Sequence, residues 1–208
     1  MKNGIRLENL SDERLEEIGR ILGDAFFDYP CQDGQMGMRA ICTTRKMMRD
    51  FLTAYVKAGY ASKNLYATSI QEEGYVILTG YKHEFSKEAN KQFIKDLFHA
   101  LGFSGIFRML TITAKAGSAY KMELRKNKIP FTVLEVLGVK KEFQGKGYMR
   151  QLINLVFEIA NQEQVNIYVA TDDEIKKDKY VHCGFTLKNI RDGNPHFTDY
   201  ELYREYQK

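Results

Sequence analysis

The sequence predicts an α/β (α+β) fold, a mixed central β-sheet flanked by helices. Three observations predict it. Helical and strand periodicities alternate along the whole chain. The composition, 44% hydrophobic and 28% charged, is that of a globular protein and excludes wholesale disorder. The 208 residues suffice to bury one core. The expected organisation is a single domain over residues 1–208, with a helical segment, 83–128, inserted between sheet strands.

The elements follow in order. Ile5 and Leu7 alternate with Arg6 and Glu8, so 5–10 reads as a short strand. Ser11 can cap the next helix, although Arg14 at the third position leaves no capping box. Leu15, Ile18, Ile21, Leu22 and Ala25 recur at helical spacing, and Phe26-Phe27-Asp28-Tyr29-Pro30 closes that helix. A polar loop over 31–37 leads to a second helix over 38–58. Residues 65–70 and 74–81 read as a hairpin. The segment 83–128 reads as helix, loop, helix. Ser86 begins it; Phe93, Ile94, Leu97 and Phe98 form an apolar face; Gly102 and Gly105 break it; Ile106, Phe107, Leu110 and Ala114 start its second helix. That apolar face is read as core packing.

Residues 131–139 give the strongest strand, opened by Pro130 and rich in Val and Leu. A glycine-bearing loop follows, then a helix with Leu152, Ile153, Val156, Phe157 and Ala160 on one face. A buried strand over 165–170 and a short helix over 174–182, ended by Gly184, come next. Strands over 185–190 and 197–203 finish the chain, with a turn around Asp192-Gly193-Asn194-Pro195.

The bulk properties narrow the function. A net charge of +4 suits an anionic small ligand and predicts no nucleic-acid partner. No apolar run approaches the ~20 residues of a membrane span, and the N-terminus has no signal-peptide core, so no membrane partner and a cytoplasmic location are expected. Cys31, Cys42 and Cys183 show no metal-ligand spacing, so free thiols and no metal are expected. A homodimer remains open.

The chemistry concentrates in Gln144-Gly145-Lys146-Gly147. A strand entering a helix through glycines exposes several backbone N–H groups at one point, where the helix dipole favours an anion. Lys140, Lys141, Lys146 and Arg150 surround that point. The P-loop pattern fails, because Gly147 follows Lys146 where a hydroxyl is required, and the dinucleotide fingerprint would need glycine at Arg150.

Gln144-Gly145-Lys146-Gly147-Tyr148-Met149 after an apolar strand resembles the coenzyme A loop of the GNAT acetyltransferase superfamily. Leu134-Glu135-Val136-Leu137-Gly138-Val139 resembles the family's central strand, and Tyr180-Val181-His182-Cys183-Gly184-Phe185 its Tyr-x-x-x-Gly-Phe motif. Phe26-Phe27-Asp28-Tyr29-Pro30 is similar to the aromatic loop between the first two helices of many bacterial members. Met149 departs from the usual Gly or Ala, and Asp173 stands where relatives often carry a coenzyme-contacting Asn.

The resemblance implies direct acyl transfer from acetyl-CoA to the primary amine of a small-molecule acceptor. It implies that Gln144, Gly145, Lys146, Gly147, Tyr148, Met149 and Arg150 hold the coenzyme and that backbone groups at Leu137, Gly138 and Val139 lie at the reacting carbonyl. Tyr180 then donates to the departing sulfur, and Glu135, read as a buried acid in an apolar strand, is the candidate base. The alternative is an acyl-CoA-binding module of the same fold with little or no turnover. His182, Cys183 and His196 are read as structural.

Overall fold

The computed structural model describes residues 4–31, 35–115, 119–194 and 197–207. It begins with β1 (Ile5–Arg6), α1 (Asp12–Phe27), a 3-10 turn (Gly37–Ala40), α2 (Arg45–Ala61), β2 (Leu65–Ala67) and β3 (Gly74–Gly80). The helical segment α3 (Lys87–Lys115) and α4 (Tyr120–Lys126) precedes β4 (Phe131–Val139). A second 3-10 turn (Lys141–Phe143), α5 (Tyr148–Glu163), β5 (Asn166–Thr171), α6 (Glu174–His182), β6 (Thr186–Asn194) and β7 (Phe197–Arg204) complete it. Pro195 and His196, placed in the last turn by sequence, lie outside the described residues.

Seven strands form one mixed sheet in the order β1-β2-β3-β4-β5-β7-β6. One apolar cluster lies between this sheet and α1, α2 and α3, and includes Ile18, Leu22, Met48, Leu52 and Ile77. A second lies under α5 and α6, with Val76, Leu78, Leu152, Val156 and Tyr180. Antiparallel pairing runs throughout, except between β4 and β5, which are parallel and joined through α5.

That exception shapes the molecule. Parallel pairing joins Phe131–Val133 to Asn166–Tyr168 and stops. Beyond it β4 continues to Val139 and β5 to Thr171, so the two strands part. A second irregularity sits on the other edge of β4. Against β3, Ile77 pairs with Val136 and Leu78 with Leu134, so Glu135 is an unpaired bulge residue. Glu135 and Val136 consequently both face α2, while Leu134 and Leu137 face α5.

Local chemistry sets the helix boundaries. The Ser11 hydroxyl accepts from Arg14 N–H at 3.3 Å, as the sequence predicts. The predicted second helix is split: Thr44 accepts from Met47 N–H at 3.2 Å and starts α2 afresh after the 3-10 turn. Ser86 starts α3 by accepting from Ala89 N–H. Gly102 kinks α3 with φ +61° and ψ 176°, whereas Gly105 stays helical and its missing side chain admits Leu101 and Met47. The reading of the inserted face as core holds only in part. Phe93, Leu97, Ile106 and Met109 are at least half-buried, but Ile94, Phe98, Phe107 and Leu110 face solvent. By length and composition Lys87–Ala114 could cross a membrane, contrary to the sequence reading; the Gly102 kink divides it and one side packs on the core.

Candidate active site

A cavity of about 510 Å³ opens where β4 and β5 part. Leu134–Val139 form one wall and Val169–Asp172 the other. α1 and α2 roof it with Phe26, Phe51, Leu52 and Tyr55; the α5 loop and Tyr180 close its other side. The roof comes close to the strand because Gly138 lacks a side chain: a Cβ there would lie 2.3 Å from Leu22 Cδ2.

At one end stands the N-terminus of α5. Its cap is Gly147 at φ +87°, with no side-chain hydrogen bond. Among the described helices the others differ: Ser11, Thr44, Ser86 and Asp173 accept from first-turn N–H groups of α1, α2, α3 and α6, and Glu201 accepts from Tyr120 N–H at the head of α4. Gly145 is also left-handed, at φ +75°, and a Cβ on either glycine would meet nothing within 4 Å. Backbone conformation, not crowding, therefore requires glycine there. Gln144 fastens the loop by donating from Nε2 to the Val139 carbonyl at 3.1 Å.

Gln144, Gly145, Gly147, Tyr148 and Met149 line the cavity, as do Leu137, Gly138 and Val139. Lys146 and Arg150 do not. Lys146 Nζ lies 5.6 Å from the Phe143 ring centroid, and Arg150 donates to the His182 carbonyl at 3.5 Å. Both are exposed at the rim, where they raise the local positive potential. Lys140 is half-buried, with Nζ 5.6 Å from the Tyr75 ring centroid. The Met149 side chain is half-buried against the cluster under α5. Asp173 is no cavity residue: its Oδ1 accepts from Lys176 N–H at 2.9 Å and from the Tyr29 hydroxyl at 3.1 Å. His182 is exposed and Cys183 packs on the second cluster; neither lines the cavity.

Tyr180 is 7% exposed and stacks edge-on against Phe185, with ring centroids 5.5 Å apart. Its hydroxyl has no hydrogen-bond partner among the described residues, and the residue lines the cavity. Burial, with Cys183 and Asp172 nearby, pushes its pKa up, so it remains a proton donor across the neutral and mildly alkaline range.

Glu135 corrects the sequence reading. It is exposed, not buried, because the bulge turns it toward the open cavity instead of into the sheet's core. Its Oε2 accepts from the Thr79 hydroxyl at 2.8 Å and its Oε1 from the Tyr55 hydroxyl at 3.4 Å. The cavity's other two carboxylates each have a cation: Asp172 meets Lys176 Nζ at 2.7 Å, and Asp199 pairs with Arg191. Burial pushes the Asp199 carboxyl up despite that pairing.

The far end joins pieces that sequence reasoning did not connect. Asp172 Oδ2 accepts from Met38 N–H at 2.8 Å, tying the turn after α1 to the end of β5. The Tyr29–Asp173 bond and a 3.4 Å contact from Gln35 Nε2 to the Thr198 hydroxyl reinforce that tie. The one local signal is the doublet Asp172-Asp173 between a strand and a helix. Tyr55 looks in sequence like any other aromatic on a helix.

The Acetyltransferase (GNAT) family model matches residues 89–185, which contain the α5 loop and Tyr180. That stretch, just under half of the chain, is similar to the GNAT acetyltransferases. It is 40% identical over 55 residues to an uncharacterised N-acetyltransferase of Schizosaccharomyces pombe, covering 26% of this chain. The match spans only 22% of that relative. Solved GNAT structures share the fold over nearly the full length. Arylalkylamine N-acetyltransferase 2 from Aedes aegypti superposes with a TM-score of 0.58 at 14% identity, over 96% of this chain and 98% of that one. The polyamine N-acetyltransferase of Drosophila melanogaster gives 0.58 at 11% identity, over 95% and 98%. That enzyme catalyses the formation of N-acetylagmatine.

Proposed function

We propose that this chain is a GNAT N-acetyltransferase that transfers an acetyl group from acetyl-CoA to the primary amine of a small molecule by direct attack. One observation carries the reading: a single cavity reaches from the glycine-capped N-terminus of α5 to the buried Tyr180, whose hydroxyl has no hydrogen-bond partner among the described residues. An anion-receptive helix start and a proton donor thus share a cleft without strand pairing. The arylalkylamine and polyamine acetyltransferases that share the fold support the choice of acceptor class.

The residues present fit the coenzyme. The backbone N–H groups of Tyr148, Met149 and Arg150, with the open space at Gly145 and Gly147, receive the pyrophosphate, and Lys140, Lys141 and Lys146 flank it. Acetyl-CoA, when bound, supplies the thioester. Backbone groups of Leu137–Val139, which have no β5 partner, face the reacting carbonyl and favour charge developing on its oxygen. Glu135 takes the amine's proton, directly or through water, as the nitrogen bonds to the acetyl carbon. Tyr180 gives its proton to the leaving sulfur as the carbon–sulfur bond breaks, and is reprotonated from solvent. No covalent enzyme adduct is required.

Thiol release from acetyl-CoA across a panel of small primary amines tests the proposal. Turnover with at least one of them is expected. Tight coenzyme binding with no acyl transfer to any amine would instead identify a binding module.

A further inference from the structure

The second arm of α3 presents to solvent a face without charge. Phe103, Phe107 and Leu110 are 86%, 73% and 57% exposed. The other exposed side chains between residues 103 and 114 are Ser104, Thr113 and Ala114. The arm's internal cation, Arg108, is half-buried and donates to the Ile41 carbonyl at 3.2 Å. The Gly102 kink brings Phe98 of the first arm edge-on to Phe103, at 5.7 Å between centroids, and exposed Ile94 extends the row. Meanwhile the opposite side of the same arm, with Ile106, Met109 and Ile112, packs on the core. The exposed row is therefore additional to what the fold needs to hold α3.

We propose that this ridge is a self-association face, on which two copies of the chain pack α3 against α3 about a two-fold axis. Its size supports this. An aromatic side chain covers ~150–250 Å², so the five apolar residues alone would bury about 600 Å² per copy. Their uncharged surroundings bring the face toward the ~800 Å² per partner of a standard interface. Contiguous apolar patches of this extent mark interaction sites on proteins. Its charge selects the partner. A neutral face is complementary to a second neutral face, and an isologous pair supplies one without any further surface. A helix lying on an anionic membrane carries a cationic polar side; here Lys91 and Lys95 are interleaved with Glu88 and Asp96, and the second arm exposes no cation between 103 and 114.

Sedimentation equilibrium of the full chain across micromolar concentrations tests the proposal. The mass is expected to rise with concentration toward twice the 24.1 kDa of one chain. The double variant Phe103→Glu/Phe107→Glu places four carboxylates in the shared face and is expected to remain at 24.1 kDa throughout. Its circular dichroism and acetyl-CoA affinity should be unchanged, since neither residue touches the core clusters or the cavity. Should that variant misfold, Leu110→Lys, on the same face, must weaken association by itself. A wild-type chain that stays monomeric overturns the proposal. So does a dimer indifferent to these substitutions, or a monomer that sediments instead with phosphatidylserine vesicles.

Discussion

The two ends of the cavity are built from different materials. The end proposed to hold the coenzyme draws on the glycine-bearing backbone of one stretch of chain, from Leu137 to Met149. The end proposed for the acceptor is mostly side chain, assembled from α1, α2, the turn after α1, β4, β5 and β7, with Tyr29, Met38, Tyr55, Glu135, Asp172 and Asp199. Changes at one end should move the kinetics of one substrate and spare the other. Four measurements can break or sharpen that contrast.

The largest effect belongs to Tyr180, where the ends meet. Tyr180→Phe keeps the packing against Phe185 and removes the proton donor, so kcat should fall about 10²–10³-fold with little change in either KM. A kcat within a few-fold of wild type would remove Tyr180 from the chemistry. At the coenzyme end, Gly147→Ala forces a left-handed backbone on a residue with a Cβ, at a cost of ~1–2 kcal/mol. The KM for acetyl-CoA is then expected to rise about tenfold while the KM for the amine holds. At the acceptor end, Asp172→Asn weakens the tie to Met38 and the pair with Lys176. It should raise the amine KM several-fold, in line with ~1.5 kcal/mol for a hydrogen bond to a charged group, and leave the acetyl-CoA KM unmoved. Equal shifts in both constants would show that the ends are not separable.

The smallest effect concerns only the scaffold that holds the roof. Burial opposes ionisation of Asp24, but hydrogen bonds from Arg49 and Arg45 outweigh it and hold the carboxyl below its ordinary range. A depressed folded-state pKa gives stability that is present above the unfolded value and lost as pH falls through the folded one. Asp24→Asn should thus cost about 1 kcal/mol in urea unfolding at neutral pH. The gap to wild type should close only as pH falls below the ordinary Asp value of ~3.9 and on through the lowered folded one, where the wild-type carboxylate is protonated too.

The same contrast explains what could be read from the sequence. A loop made of consecutive residues leaves a consecutive signature, so Gln144 to Gly147 and the boundaries of β4 and α6 were legible. The pairing of Asp172 with Met38 N–H joins residues 134 positions apart, and no local pattern encodes it. Glu135 was legible as a charged residue in an apolar strand, but not as exposed, because its orientation depends on a bulge defined only by the pairing partner β3. Likewise the helical period found the apolar residues of α3 but could not say which of two apolar faces met the core. Only the packing of α2 decides that.

The bulge also constrains how this strand can evolve. Upstream of Glu135, the positions on the sheet face opposite α5 are odd-numbered, as Phe131 and Val133 show; downstream they are even, as Val136 and Gly138 show. Replacing Glu135 by another residue preserves that change of phase. Deleting it brings Leu134 directly before Val136, restores plain alternation and leaves every other side chain on its present face, with Leu78 still opposite Leu134 and Ile77 opposite Val136. Deleting Leu137 instead would force either Val136 or Gly138 to the other face, and in the second case Gly138 would lose its place beneath Leu22. The fold therefore tolerates either change at position 135, where a deletion removes only the carboxylate presented to the cavity, whereas the rest of the strand should hold its length among descendants.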